Sequence, residues 1–253
     1  MNRKKISFWL LTATLLFTSC KQQRYTVTKI SGTIVEMDES YDTHPNKELE
    51  ELVLSYKTIL DKEMNQVVGT STHLMDYGKP ESLLTNFTSD VMKQHGDKVL
   101  PNGADIGVMN VNGHRATMPK GEVTLGNLYE IYSFDNTVTF LQLKGSDVQK
   151  MFDSYARMHG AGISSNVKLV IKDRKVQKVT IDGQPIDINK VYNIVTLDYL
   201  ADGNNGMEAF LDAVHVNNSG VTLRDMMIDY VKEQTALGHP LTSSLDGRIT
   251  IIE

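Results

Sequence analysis

Residues 21–253 contain no cysteine, and this limits how the chain can fold more than any other feature. Without a disulfide framework the fold must be held by buried apolar surface. A chain of 253 residues with 40% hydrophobic side chains is long enough to build an ordinary core.

The spacing of the apolar residues says what that core is made from. Leu49, Leu52, Val53, Tyr56, Ile59, Leu60 and Met64 follow helical spacing behind Pro45 and Asn46. A second helical pattern runs over 81–94, with Leu83, Leu84, Phe87, Val91 and Met92 on one side. Thr124 opens a short helix carrying Leu125, Leu128 and Tyr129, and Gly145-Ser146 opens another through Arg157. Thr222 caps a helix with Leu223, Met226, Met227, Tyr230 and Val231 inward; the paired Met residues read as core filler. Strand patterns fall around 32–37, 67–70, 105–111, 137–143, 191–197 and 248–252. Val167 to Ile171 and Val176 to Ile181 flank a turn at Asp173-Arg174, and Asp182-Gly183 supplies a second turn. Neither a repeat nor a low-complexity tract interrupts the series. The mixture predicts an α+β fold, a single globular domain of mixed sheets with packed helices over 33–253, preceded by a polar tether at 21–32.

The first twenty residues read as an export signal rather than as fold. Arg3, Lys4 and Lys5 precede an apolar run from Ile6 to Phe17, and Thr18 and Ser19 lead to Cys20. The run is shorter than the roughly 20 residues a membrane-spanning helix needs. Cys20, the only cysteine, stands where lipoprotein processing would cleave and acylate, although Phe17 replaces the usual Leu. The expectation is an exported, lipid-anchored protein of a bacterial cell envelope, facing the periplasm, with lipidation at Cys20. The chain carries 31 acidic against 26 basic residues, and three of the basic ones lie in the signal. That balance argues against nucleic-acid polymers as partners.

The residues that point to chemistry sit in two stretches. Asn110, Asn112, Gly113, His114 and Arg115 follow a compact apolar strand, where a loop on a rigid scaffold often holds a ligand. Glycine lets backbone approach a ligand closely, and arginine offers a planar fork for phosphate or carboxylate. On spacing alone the same residues also fit a solvated turn. The second stretch, from Asp198 to Gly206, reads DYLADGNNG.

Together these stretches resemble the substrate-binding C-terminal domain of the 5'-nucleotidase/UDP-sugar hydrolase family. Asn110, Gly113 and Arg115 fit its Asn-x-x-Gly-x-Arg turn, and Ser133-Phe134 stands at its Pro-Phe pair. Tyr199-Leu200-Ala201-Asp202-Gly203-Asn204-Asn205-Gly206 stands at its Phe-Leu-Ala-x-Gly-Gly-Asp-Gly segment. The resemblance implies that Phe134 and Tyr199 sandwich a nucleobase and that Arg115 approaches a phosphate. It also implies that Asn110 and Asn205 make polar contacts to base or ribose. Three departures are specific to this chain: Asn205 replaces an Asp, His114 an aliphatic residue, and Lys79 is the only cation where an upstream Arg is usual.

The resemblance further implies a division of labour. The family's catalytic metals belong to a separate metallophosphoesterase domain; this sequence lacks its Asn-His-Glu segment and matches its Asp-x-His segment only at Asp42-Thr43-His44. No two of the seven histidines stand three to five residues apart. A Gly-x-Ser-x-Gly elbow, a P-loop and a dinucleotide fingerprint are also missing, and Asp202, Asn204 and Glu208 fall short of a calcium loop. The expectation is therefore a chain with no cofactor of its own, recognising a nucleotide or nucleoside. Hydrolysis would then require a metallophosphoesterase subunit in trans, which would carry the divalent metals. The alternative is a non-catalytic nucleoside-binding lipoprotein for capture and uptake.

Overall fold

Three sheets and the helices packed on them make up the fold in a computed structural model that describes residues 25–40 and 46–252. The signal segment and Cys20 lie outside the described residues. The chain divides into two units, residues 1–50 and 51–253. Of the first, residues 25–38 are exposed and belong to no helix or strand. The strand expected at 32–37 does not form: Ile34, Val35 and Met37 are strand-type residues but find no neighbouring strand to complete a ladder.

The second unit is built around a five-stranded sheet. β2 (Ile106–Met109) is buried at every position, so it reads as one continuous apolar run rather than an alternating one. It pairs in parallel with β8 (Val191–Leu197) and antiparallel with β5 (Gly162–Ile163). β8 pairs antiparallel with β4 (Thr137–Lys144), which pairs in turn with the edge strand β9 (His215–Thr222). A three-stranded sheet sets the expected hairpin, β6 (Val167–Lys172) and β7 (Lys175–Ile181), beside a parallel β10 (Ile249–Ile252). The turn residues Asp173 and Arg174 both take left-handed φ, at 50° and 59°, the geometry a two-residue hairpin requires. β1 (Val67–Ser71) and β3 (Gly121–Thr124) form a small antiparallel pair.

Among the described residues the α-helices are, in chain order, α1 (Lys47–Met64), α2 (Leu83–Val99), α3 (Leu125–Ile131), α4 (Gly145–Arg157), α5 (Asp198–Ala201) and α6 (Leu223–Ala236). All but the one-turn α5 arise where apolar spacing predicted a helix. Thr124 and Asn127 cap α3 reciprocally, each side chain accepting from the other's backbone N–H at 3.2 and 3.0 Å. Thr222 caps α6 by accepting from the Asp225 N–H at 3.0 Å. α2 lies directly on β2, where a Cβ at Gly107 would fall 2.2 Å from the Ser89 carbonyl oxygen. By contrast α1 has the amphipathic pattern but buries none of its residues. Among the described residues no helix is long and apolar enough to cross a membrane. The α+β class with several mixed sheets stands as expected from the sequence.

Candidate functional site

The pairing register brings three chain segments to one end of the five-stranded sheet. β2 and β8 run parallel, so Met109 and Leu197 finish together. β4 runs the other way and begins there, with Val138 opposite Leu197. Asn110 to Arg115, Asp198 and Tyr199, and Phe134 to Asn136 therefore emerge side by side. The carboxyl ends of parallel strands are a common place for a ligand crevice, because the connections there diverge.

A cavity of about 370 Å³ opens at this end, lined by Asn110, Asn112, Gly113, Arg115, Phe134, Asn136, Tyr199 and Asn205. It contains all six residues that the sequence singled out for substrate binding. Phe134 and Tyr199 are 49% and 43% exposed, far too open for core aromatics. The Arg115 guanidinium lies 5.8 Å from the centre of the Phe134 ring, and no ion pair to it forms among the described residues. Among the described residues no carboxylate lines the cavity. The lining thus offers two aromatic faces, several amides and one cation, a combination suited to a flat heteroaromatic ligand carrying negative charge.

Local structure explains why each residue stands where it does. Asn110 leads into a 3₁₀ turn, Val111–Gly113, that swings the chain out of β2. Gly113 packs so closely there that a Cβ would fall 2.3 Å from the Met109 methyl and 2.7 Å from the Asn110 amide oxygen. That amide oxygen is buried without a partner among the described residues. Asn205 takes a left-handed φ of 56°, a conformation asparagine tolerates better than most residues. Lys79 does not line the cavity; its ammonium donates to the Met158 carbonyl at 2.6 Å.

Three supporting residues escaped the sequence reading. Asp198 accepts four hydrogen bonds, from Asn136 Nδ2 at 2.8 Å, Thr137 N at 3.1 Å, Thr137 Oγ1 at 2.8 Å and Tyr199 N at 2.7 Å. It thereby ties one wall of the cavity to the other. Burial pushes its carboxyl up, but these hydrogen bonds outweigh burial and hold it below the usual carboxylate range. Arg224 of α6 donates to the Tyr132 carbonyl at 3.1 Å, pairs with Asp135 and lies 4.6 Å from the Tyr129 ring centre. It fixes the segment that carries Phe134. Asn136 itself lines the cavity, and only its place beside Phe134 marked it in the sequence. Among the described residues no group of three or more His, Cys, Asp or Glu side chains is arranged to hold a metal ion.

Comparison with known proteins gives a consistent picture. A family model described as "5'-nucleotidase, C-terminal domain" matches residues 67–212. The chain is 30% identical over 139 residues to the protein UshA of Yersinia enterocolitica, covering 53% of this chain and 25% of that one. To UshA of Escherichia coli it is 26% identical over 166 residues, covering 64% and 30%. The fold is similar to that of a 5'-nucleotidase precursor from Thermus thermophilus, with a TM-score of 0.71 at 23% identity, over 82% of this chain and 44% of that one. The chain thus spans between a quarter and a third of the length of these curated relatives and less than half of the solved one.

Proposed function

The chain belongs to the 5'-nucleotidase C-terminal domain family, and from that premise we propose that its cleft is the nucleotide- or nucleoside-recognition site of a cell-envelope phosphohydrolase system for nucleotide breakdown. The observation that carries this reading is the placing of exposed Phe134 and Tyr199 in one cavity with Arg115, which forms no ion pair among the described residues. Two aromatic faces hold a base by stacking, worth about 1–3 kcal/mol per base. The guanidinium then meets phosphate oxygens with its planar fork.

Hydrolysis in this reading takes place with a separate metallophosphoesterase chain, whose divalent metals would activate water and stabilise charge on the phosphoryl group. One observation supports a partner: Leu52, Val53, Tyr56, Ile59 and Leu60 of α1 are all exposed, an apolar face open to another chain. Export and lipidation at Cys20 would place the protein on an envelope membrane. Incorporation of labelled palmitate that disappears in Cys20→Ala would support the anchor, and incorporation that persists would sink it.

The second reading, capture of nucleosides without hydrolysis, is favoured by one observation: among the described residues Arg115 is the only cation lining the cavity. The test that separates the two is phosphate release from 5'-AMP and UDP-glucose with manganese, by this chain alone and mixed with metallophosphoesterase chains of the same cells. Release only in a mixture is the expected result. Release by this chain alone would contradict the division of labour, and adenosine binding without release in any mixture would favour capture.

A further inference from the structure

Beneath the cavity lies a buried polar chain that the binding surface itself does not use. His114 is 1% exposed, and its Nδ1 lies 3.2 Å from the Val111 carbonyl oxygen. A carbonyl only accepts, so Nδ1 carries the proton and Nε2 of the neutral ring is an acceptor. Nε2 lies 2.9 Å from the Thr88 hydroxyl, which must then donate to it. Thr88 has one proton to give, so at 2.8 Å it accepts from the Tyr132 hydroxyl. The direction of every hydrogen bond in Tyr132–Thr88–His114–Val111 is thus fixed by elimination. All three side chains are fully buried, and the His114 ring packs between Tyr77 and Tyr132 at centroid distances of 6.0 and 5.8 Å.

The two ends of this chain lead into two of the segments that line the cavity. His114 immediately precedes Arg115, and Tyr132 stands two residues before Phe134. Thr88, in the middle of α2, is anchored on the helix that rests against β2. One backbone bond also links the walls, from the Arg115 N–H to the Ile131 carbonyl at 3.0 Å. The hydroxyl–imidazole chain adds a second point of contact between the two segments.

We propose that His114, Thr88 and Tyr132 are positioning residues that hold the Phe134 wall at a set distance from the Arg115 wall, so that the cleft is preformed for its ligand. This rests on the reading of the cleft as a nucleotide site. Preorganisation of this kind raises affinity by lowering the ordering cost of binding rather than by adding contacts. Burial holds the imidazole neutral, with its pKa down to about 4 against the opposing effect of the Val111 carbonyl, so the acceptor at Nε2 persists throughout the physiological range. Burial also pushes the Tyr132 phenol up, which keeps its donor proton in place.

The test is a titration of 5'-AMP into the purified protein and its Thr88 variants. Thr88→Val removes the hydroxyl at nearly constant shape and is expected to weaken binding about tenfold. Thr88→Ser restores the hydroxyl and should bind within about twofold of the unsubstituted protein. In a Phe134→Ala background, Thr88→Val should add no more than about twofold, because the residue it places is gone. Equal affinity in Thr88→Val, failure of Thr88→Ser to rescue, or fully additive losses would each overturn the proposal. A protein that binds no AMP at all overturns the nucleotide reading instead. The clamp is then decided in the ligand-free protein by the NMR signals of the Phe134 ring. Signals that move in Thr88→Val but not in Thr88→Ser uphold it; signals that stay put in both overturn it.

Discussion

At the scale of single residues, the proposed binding groups are far easier to read in the sequence than the groups that hold them. Asn110, Gly113, Arg115, Phe134, Tyr199 and Asn205 lie in short stretches whose order and spacing are visible in one dimension. Asp198 and Arg224 act across 61 to 92 positions, and no local pattern records that Asp198 meets Asn136 and Thr137 or that Arg224 meets Tyr132. His114 is the sharpest instance: its place in a polar turn suggests exposure, yet it is fully buried. Its burial has a consequence for stability. The unfolded ring protonates near its ordinary 6.5, but the folded ring resists until about pH 4. Between those values the unfolded state binds the extra proton, so His114 disfavours the fold progressively as pH falls through this window and has no such effect above it. The full penalty is on the order of 3 kcal/mol. Urea denaturation at pH 7 and pH 4.5 should show a smaller loss in His114→Gln than in the unsubstituted protein; an equal loss would mean the ring titrates normally in the fold.

At the scale of elements, periodicity located helices and central strands well and edge strands poorly. α2, α3, α4 and α6 formed where apolar spacing and capping residues placed them, because both signals are local. β9 went unread because most of its residues are exposed and its sequence, HVNNSGVT, carries neither alternation nor bulk. The reverse error occurred at 32–37, where strand-like residues lack a partner strand; β pattern describes fitness for a sheet, and a sheet needs a second chain segment. The contact of α2 with β2 is likewise invisible in sequence, since it depends on the absence of a side chain at Gly107. Gly107→Ala would drive a methyl into the Ser89 backbone, where nothing flexible can give way. We expect a loss of about 2–3 kcal/mol in urea denaturation, and AMP affinity should fall with it, because the turn at Asn110 rides on the end of β2. A loss below about 0.5 kcal/mol would show that the two elements separate easily.

At the scale of the whole molecule, the C-terminal strand is locked to the body of the second unit by one buried cation. Arg248 is 2% exposed and reaches Asp90 at 3.0 Å, Asp246 at 2.9 Å and the Ile163 carbonyl at 2.8 Å. Asp90 and Asp246 are partly exposed and can be solvated once the cation is gone, so Arg248→Ala loses mainly the buried packing and the bond to the Ile163 carbonyl and should cost about 1–3 kcal/mol. Because this network lies apart from the cavity lining, Arg248→Ala protein that remains folded at low temperature should still bind AMP; lost binding there would tie the network to the site. The sheet topology carries the functional argument: two parallel strands ending where an antiparallel one begins bring together residues that lie far apart in the chain. The central claim is that Phe134 and Tyr199 grip a nucleobase between them. Its most direct test is calorimetric titration of 5'-AMP into the unsubstituted protein and the Phe134→Ala/Tyr199→Ala double variant. Stacking worth about 1–3 kcal/mol per face predicts a loss of roughly thirtyfold or more in the double variant with the fold intact; equal affinity in the two proteins would contradict it.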